Sequence, residues 1–224
     1  MRRPVVIAVD GTAASGKGTL AKRLARHFGF AHLDSGSLYR LTALCVLERG
    51  YSPQSETHAI DAALHIDPAR AGDPAIRTDA VAQAASIVAA FPAVRAALLD
   101  FQRKFGAQPP GGSAGAVIDG RDIGTVVFPE ATTKLFVDAN VETRAHRRFL
   151  ELLGAGIAAD ETAVLADIQA RDKRDRERKV APLKPAWDAD LLDTTLLDID
   201  AAFARALALV TPKVEEALKA RHRG

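Results

Sequence analysis

V-V-I-A-V-D-G-T-A-A-S-G-K-G-T, residues 5–19, joins an apolar run to a glycine-rich loop that contains one lysine. Val5–Val9 predict a buried parallel strand, because helices on both faces of such a sheet leave neither face polar. A helix is predicted from Gly16 to His27, with apolar residues recurring along one face. A glycine-rich loop between strand and helix directs several backbone N–H groups at one point, beside the positive end of the helix. The stretch therefore predicts a phosphate-binding loop in an α/β fold.

The ligand that such a loop predicts is a nucleoside triphosphate. Lys17 supplies the cation that would reach the β and γ phosphates. The general pattern has a serine or threonine after the lysine, whereas this chain has Gly18, with Thr19 one position later. We therefore expect Mg²⁺ to be held by phosphate oxygens and water, with Thr19 as the one protein candidate and no dedicated metal site. The residues predicted to bind ATP are Gly11, Thr12, Ala13, Ala14, Ser15, Gly16, Lys17, Gly18 and Thr19.

Composition argues against several other classes of protein. The chain has 224 residues with 30 basic and 28 acidic side chains, a net charge of +2 that does not predict a nucleic-acid partner. Cys45 is the only cysteine, which excludes an intramolecular disulfide and a cysteine-based zinc site. No apolar run approaches the ~18 residues that span a bilayer. We expect a cytoplasmic monomer with no membrane partner.

Strands and helices are predicted to alternate along the chain, which indicates a doubly wound parallel sheet with helices on both faces. Further strands are predicted at Ala31–Leu33, at Ala116–Ile118, at Leu135–Val137 and near Leu191. Further helices are predicted from about Ser37, at Ala59–Ile66, from an Asp79 cap to Ala89, from Pro92 to Phe105, at Val141–Leu153, at Thr162–Lys179 and at Asp200–Ala220, the last interrupted at Pro212.

D-S-G-S-L-Y-R, residues 34–40, follows the second predicted strand. Ligands of doubly wound sheets lie outside the carboxyl ends of the strands, so this segment should face the same crevice as the phosphate loop. Ser35 and the following helix N-terminus could hold a second anion, with Arg40 binding it through two N–H groups. The alternative is that Ser37 caps the helix while Tyr39 and Arg40 lie on a solvated face.

D-G-R-D, residues 119–122, follows the third predicted strand, also at a carboxyl edge. In one interpretation Arg121 and Asp122 project into the crevice. In the other, the segment is a turn that contains its own salt bridge.

R-D-K-R-D-R-E-R-K, residues 171–179, holds six cations and three anions. On a helix, Arg171, Arg174, Asp175 and Arg178 share one face. This face could close over a phosphoryl group in transfer, or the run could be a solvated helix with ion pairs four residues apart. The phosphate loop favours the first interpretation.

Five segments together resemble the bacterial cytidylate kinases, a family of nucleoside monophosphate kinases. They are G-T-A-A-S-G-K-G-T (11–19), D-S-G-S-L-Y-R (34–40), A-A-S-I-V-A-A-F-P-A-V-R (84–95), D-G-R-D-I-G-T-V-V-F-P (119–129) and R-D-K-R-D-R-E-R (171–178), the last followed by V-A-P-L. The resemblance implies transfer of the γ-phosphoryl group of Mg²⁺-bound ATP to CMP or dCMP.

The resemblance also implies roles for individual residues. Ser35, Arg40, Arg121 and Arg178 would hold the CMP phosphate. Ser86, Arg95 and Asp122 would read cytosine, whose N4 amino group suits a carboxylate. Arg171 and Asp175 would reach the ribose, and Arg174 would close on the ATP phosphates. The catalytic set it implies is Lys17, Arg121, Arg174 and Arg178.

The family's organisation implies one P-loop kinase domain with three parts. The core covers residues 1–50, 106–160 and 185–224, the acceptor-binding insert about 51–105, and the lid about 160–185. Two departures from the family stand out. Residues 65–78 replace a small antiparallel sheet with a shorter segment, and Thr12 stands where many relatives have proline.

Three alternative functions stay open at this stage: another nucleoside monophosphate kinase, for example one that accepts UMP as well as CMP, a P-loop nucleotide switch, and an ATPase. A guanine switch needs an N-K-x-D or T-K-x-D element, whereas Asn140 lies in N-V-E-T and residues 172–175 read D-K-R-D. A nucleic-acid-stimulated ATPase would intersperse aromatic residues among its basic ones, and residues 171–179 contain none.

Overall fold

The structure is a computed structural model that describes residues 4–223. Its centre is one parallel sheet of five strands in the order β2-β3-β1-β4-β5. The predicted α/β class and every predicted strand are confirmed. The strands are β1 (Val5–Gly11), β2 (Ala31–Asp34), β3 (Gly115–Gly120), β4 (Thr133–Asp138) and β5 (Asp190–Asp193).

Eight α-helices connect the strands within the described residues. They are α1 (Lys17–Phe28), α2 (Ser35–Glu48), α3 (Glu56–His65), α4 (Asp79–Val88), α5 (Pro92–Ala107), α6 (Val141–Gly154), α7 (Glu161–Glu177) and α8 (Ile199–Arg223). Gly29 ends α1 in the left-handed conformation, at φ 65°. Among residues 4–223, no single helix is long and apolar enough to span a membrane. Within this range only the bent pair Asp79–Val88 and Pro92–Gly112 would be, judged by length and composition alone.

Both faces of the sheet are covered, as the apolar sequence of β1 requires. Val5, Ile7 and Val9 pack on one face against apolar residues of α1 and α8. Ala8 points the other way, into a cluster with Ile118 of β3. All seven residues of β1 are buried, so the loop that follows is anchored to a strand that is held firmly in the core.

The insert is helical. Between α3 and α4 the chain forms two short 3₁₀ turns, Pro68–Gly72 and Pro74–Arg77, each capped by a preceding aspartate side chain. Residues 35–114, all of them described, contain no strand, so the small sheet expected of the family is replaced by these turns. Helices α2, α3, α4 and α5 share an apolar cluster of their own.

Three helix boundaries differ from the sequence predictions. Helix α7 ends at Glu177, because Arg178 adopts an extended conformation and its Nε donates to the Ala181 carbonyl at 2.5 Å. Thr78, rather than Asp79, caps α4 through its hydroxyl group. Helix α8 continues through Pro212, where Val210 and Val214 are fully buried. Packing against the sheet outweighs the missing proline N–H there.

Candidate active site

A cavity of about 320 Å³ lies at the carboxyl ends of the central strands. The phosphate loop follows β1, Asp34 ends β2, and the segment 119–122 ends β3. All nine residues predicted to bind CMP line this one cavity: Ser35, Arg40, Ser86, Arg95, Arg121, Asp122, Arg171, Asp175 and Arg178. The donor loop contributes Ala14, Gly16, Lys17, Gly18 and Thr19. Residues from six separate segments therefore meet at the carboxyl edge of the sheet, where the sequence predicts the crevice.

The phosphate loop is held in a conformation that its small residues permit. Ala14 and Gly16 have positive φ angles, 57° and 85°. A side chain at Gly11 would place its Cβ 2.0 Å from the Val137 carbonyl oxygen, so only glycine fits against β4. Lys17 donates from Nζ to the Thr12 carbonyl at 3.2 Å. Burial, reinforced by Arg121, lowers the pKa of Lys17 to about 7.

Hydrogen bonds link the base of the loop to the turn after β3 and to the end of β4. Asp10 accepts hydrogen bonds from the backbone N–H groups of Ile123 and Gly124 at 2.8 and 2.7 Å. Burial raises the pKa of this carboxyl to about 7. The hydroxyl of Thr12 donates to Asp138 at the end of β4, at 2.6 Å. A proline at this position would have no hydroxyl to make this bond, so Thr12 adds a link between loop and sheet.

Ser35 and Arg40 both line the cavity at the carboxyl ends of the strands. Ser35 Oγ donates to the Asp119 carbonyl at 2.7 Å, and Arg40 donates to the Ile76 carbonyl of the insert at 3.0 Å. Tyr39 is only 9% exposed. The alternative of a solvated face is therefore wrong for Tyr39, because α2 packs against the insert on that side.

Asp122 and Arg121 have long-range partners. Asp122 pairs with Arg95 of α5 and lies 3.9 Å from Arg178. Arg121 donates from Nε to Asp175 of α7 at 3.0 Å. The alternative of a turn with an internal salt bridge is therefore wrong. Burial alone would raise the pKa of Asp175, but Arg121, Arg171 and Arg178 outweigh it and lower that pKa.

The charged run on α7 is only partly a solvated face. Arg176 lies 3.7 Å from Asp172 one turn earlier, as that interpretation expects. Asp172 and Asp175 are nevertheless buried. Arg174 is the one predicted site residue of the run outside the cavity, in a neighbouring space between α4, α6 and the loop. Its Nε donates to Ser86 at 3.1 Å. Arg178 reaches the cavity from beyond the helix end rather than from its face.

Some lining residues were not predicted as binding residues from the sequence. Asp119 is 3% exposed and lies 2.9 Å from His32 Nε2. Its signal was its place at the carboxyl end of an apolar strand, the edge at which the ligands of such sheets lie. Tyr39 packs under the Arg95 guanidinium, 5.3 Å from ring centroid to Cζ. Glu151 lines the cavity from α6 and gave no signal, because an exposed helix carries many such residues.

A family model described as cytidylate kinase matches residues 7–212. The chain belongs to the cytidylate kinase family. Relatives named cytidylate kinase include one from Nitrobacter winogradskyi, 55% identical over 92% of this chain and 95% of its own. Another, from Afipia carboxidovorans, is 54% identical over 92% and 97%. A third, from Methylocella silvestris, is 52% identical over 97% and 99%. The resemblance seen in the five motifs is confirmed.

Solved structures share the fold at low identity. A gluconokinase from Sinorhizobium meliloti matches with a TM-score of 0.50 and 14% identity, covering 100% of this chain and 99% of its own. An uncharacterised protein from Eubacterium ventriosum matches with a TM-score of 0.55 and 16% identity, covering 92% and 98%. Membership of the cytidylate kinase family makes the chain a phosphotransferase. It favours a kinase over a nucleotide switch or an ATPase.

Proposed function

We propose that this chain transfers the γ-phosphoryl group of ATP to CMP or dCMP, giving ADP and CDP or dCDP. The observation that carries the proposal is that five residues of the donor loop and all nine acceptor-side residues line one cavity. A nucleotide switch needs only the donor half. A second, arginine-rich half is what a second phosphorylated nucleotide requires.

Charge neutralisation is the main work of the cavity. Phosphoryl transfer depends on positioning and on stabilising charge spread over the transferring group, more than on a strong base. In the proposal, Lys17 and the loop amides hold the donor phosphates, while Arg40, Arg121 and Arg178 hold the acceptor phosphate. Arg174 lies next to this space and would reach the donor phosphates once released from Ser86.

Base recognition rests on the buried Arg95–Asp122 pair. Cytosine presents an amino donor at N4 and acceptors at N3 and O2, so a carboxylate and a guanidinium side by side match it. Uracil reverses the pattern at N3 and position 4, which would leave both groups mispaired. Buried mispairing discriminates strongly between ligands. Ser86, 6% exposed on α4, would complete the set, while Arg171 and Asp175 would contact the ribose.

Mg²⁺ fits the residues present. Among residues 4–223 no group of three or more histidine, cysteine or acidic side chains could hold a metal by itself. Mg²⁺ needs no such cage, because it commonly keeps several waters and binds through substrate phosphates and one or two protein oxygens. Thr19 and Asp119 line the cavity, and Asp119 Oδ2 lies 3.6 Å from the position that a Cβ at Gly18 in the loop would take, so both could offer an oxygen there. When bound with ATP, the ion neutralises charge on the β and γ oxygens.

The lid would exclude water, which otherwise competes with CMP as acceptor. We place its hinges at the turn 154–156 and around Pro182. Division of the chain into core, insert and lid, a monomeric state and a cytoplasmic location stay predictions.

The proposal is tested by an acceptor panel in an ADP-release assay with Mg²⁺-ATP. We expect CMP and dCMP to be phosphorylated and UMP, AMP and shikimate to be poor acceptors. Comparable turnover with UMP would favour a UMP/CMP kinase instead. ADP release that is independent of any acceptor would favour an ATPase and contradict the proposal.

A further inference from the structure

Arg144, on α6, is a buried guanidinium that does not line the cavity. It is only 2% exposed, and its N–H groups reach three separate elements. Nε donates to the Ala139 carbonyl after β4 at 2.8 Å. Nη1 donates to the Ala13 carbonyl of the phosphate loop at 3.1 Å. Nη2 donates to Asp172 of α7 at 2.6 Å.

Stability alone is a weak explanation for this arrangement. Taking two charges out of water costs several kcal/mol each, and replacing a buried ion pair with apolar residues is often neutral or stabilising. Asp172 is 3% exposed, and its Oδ1 atom has no hydrogen-bond partner. The pair therefore suits a geometric role better than a purely stabilising one.

The contact with Ala13 fixes one peptide plane of the phosphate loop. In a planar trans peptide, the C=O and the following N–H point in opposite directions. Because the Ala13 carbonyl faces Arg144, the Ala14 N–H faces away from it. Ala14 lines the cavity and has a φ of 57°, a conformation that a non-glycine residue keeps only when its surroundings impose it.

The contact with Asp172 fixes the register of α7. Asp172 directly follows Arg171 and lies within one turn of Arg174 and Asp175. Arg171 and Asp175 line the cavity. Through one side chain, the peptide of the donor loop and the helix that carries the acceptor groups are therefore held at a set distance.

An apolar contact joins the same two elements independently. Ala14 packs against a cluster formed by Ala145 and Leu152 of α6 with Val164 and Ile168 of α7. A movement of α7 along α6 would disturb both this cluster and the Arg144–Asp172 pair. The loop and the lid helix thus share a polar and an apolar link.

We propose that Arg144 is a positioning residue that couples the donor loop to the lid helix, so that binding of one nucleotide prepares the site for the other. This inference rests on the proposed phosphoryl transfer to CMP. It assigns Arg144 and Asp172 no contact with substrate. Their effect is on the position of the donor loop relative to the acceptor-side groups of α7.

The test compares Asp172→Asn, Arg144→Lys and the double variant with the parent chain. Asparagine is nearly isosteric but lacks the charge, whereas lysine keeps the charge but cannot reach three acceptors. Calorimetry measures the dissociation constant of a non-hydrolysable ATP analogue with and without CMP, and steady-state assays give kcat and KM. The control is Arg23→Lys, since Arg23 also pairs with an aspartate, Asp200, at 2.7 Å but joins α1 to α8.

We expect kcat to fall by about tenfold or more in each single variant, because small misplacements of reacting groups cost up to ~100-fold. The dissociation constants of the ATP analogue with and without CMP should become more nearly equal, so that their ratio moves toward one. The double variant should be little worse than Arg144→Lys alone, since that change already removes the contact that Asp172→Asn weakens. The control should keep kcat and the ratio unchanged.

A lowered melting temperature with unchanged kcat and unchanged ratio would show a merely structural pair and overturn the inference. A ratio of dissociation constants in Asp172→Asn equal to that of the parent chain would also overturn the inference. If the parent chain itself failed to phosphorylate CMP, the proposed function would fail instead, which the acceptor panel detects separately.

Discussion

Lys17 shows how one residue can make ligand binding depend on pH. It is half-buried in the phosphate loop, and burial lowers its pKa to about 7 in the protein without nucleotide. Triphosphate oxygens favour the charged form, so binding above pH 7 requires uptake of a proton. Below pH 7 the lysine is already charged, and no such cost applies.

We therefore expect the affinity for Mg²⁺-ATP to fall as the pH rises from 7 to 8.5, by up to about tenfold per pH unit. Calorimetry in buffers of different ionisation enthalpy would measure the proton taken up. Lys17→Met should abolish the uptake, while Lys22→Met, which changes an exposed lysine on the same helix, should retain it. An uptake that survives in Lys17→Met would assign the proton to another group.

Asp122 is the residue whose substitution should change base preference. Its carboxylate is 4% exposed and pairs with Arg95. We expect Asp122→Asn to lower the CMP-to-UMP ratio of kcat/KM by about 10- to 100-fold, because a mismatched buried hydrogen bond costs about 1–3 kcal/mol. Glu151→Gln, at the exposed edge of the same cavity, is the control and should keep the parent ratio. Equal ratios in Asp122→Asn and the parent would remove Asp122 from base reading.

At the scale of elements, helix α4 is linked by side-chain contacts to α6 and α7. Asp79, its first residue, accepts from Arg148 of α6 at 2.5 Å. Gln83 donates to Asp167 of α7 at 3.3 Å, and Ser86 accepts from Arg174 of the same helix. Three consecutive turns of α4 thus contact α6 and α7, on the side that faces the phosphate loop.

An exposed ion pair such as Asp79–Arg148 contributes only about 0.2–1 kcal/mol of stabilising free energy. That is too little to determine the fold but enough to shift an equilibrium between open and closed conformations. We expect Asp79→Asn to raise the KM for CMP by about two- to fivefold, with little change in melting temperature. The matched control is Asp61→Asn, because Asp61 pairs with Arg49 at 2.6 Å without contacting the lid. An equal KM change in both variants would contradict a closing role for Asp79.

For the molecule as a whole, the sheet and much of the cavity could be predicted from sequence because their signals are local. An apolar run such as Val5–Val9 predicts a strand wherever it lies, and a glycine-rich loop with Lys17 predicts phosphate. Parallel strands then bring their carboxyl ends together, so Asp34 and Asp119 could be placed near the loop. The grouping of nine acceptor-side residues came from family resemblance, since they are distant in sequence.

The rest depended on contacts that no local pattern encodes. Helix α8 passes Pro212 because buried valines on either side hold it to the sheet. Helix α7 ends early because the Arg178 side chain donates a hydrogen bond to the Ala181 carbonyl. Arg144 carries no signal among the other arginines of α6, and its role emerges only once Ala13 and Asp172 lie beside it.

The balance of charge around the cavity favours phosphorylated ligands. Seven cationic side chains and five carboxylates line it: Lys17, Lys22, Arg40, Arg95, Arg121, Arg171 and Arg178 against Asp34, Asp119, Asp122, Glu151 and Asp175. Burial, reinforced by neighbouring guanidinium groups, lowers the pKa values of Arg40, Arg171 and Arg178. The excess of positive charge is a source of repulsion that the phosphates of bound nucleotides would relieve.

We therefore expect CMP and a non-hydrolysable ATP analogue to stabilise the protein cooperatively. Each ligand at 100 times its dissociation constant should add about 2.7 kcal/mol to the free energy of unfolding, and the two together should exceed the sum, because either one lowers the repulsion that the other must overcome. Thermal unfolding with each ligand and with both measures this, and sodium sulfate at matched ionic strength is the control for screening alone. Strictly additive stabilisation would show that the two halves of the cavity close independently.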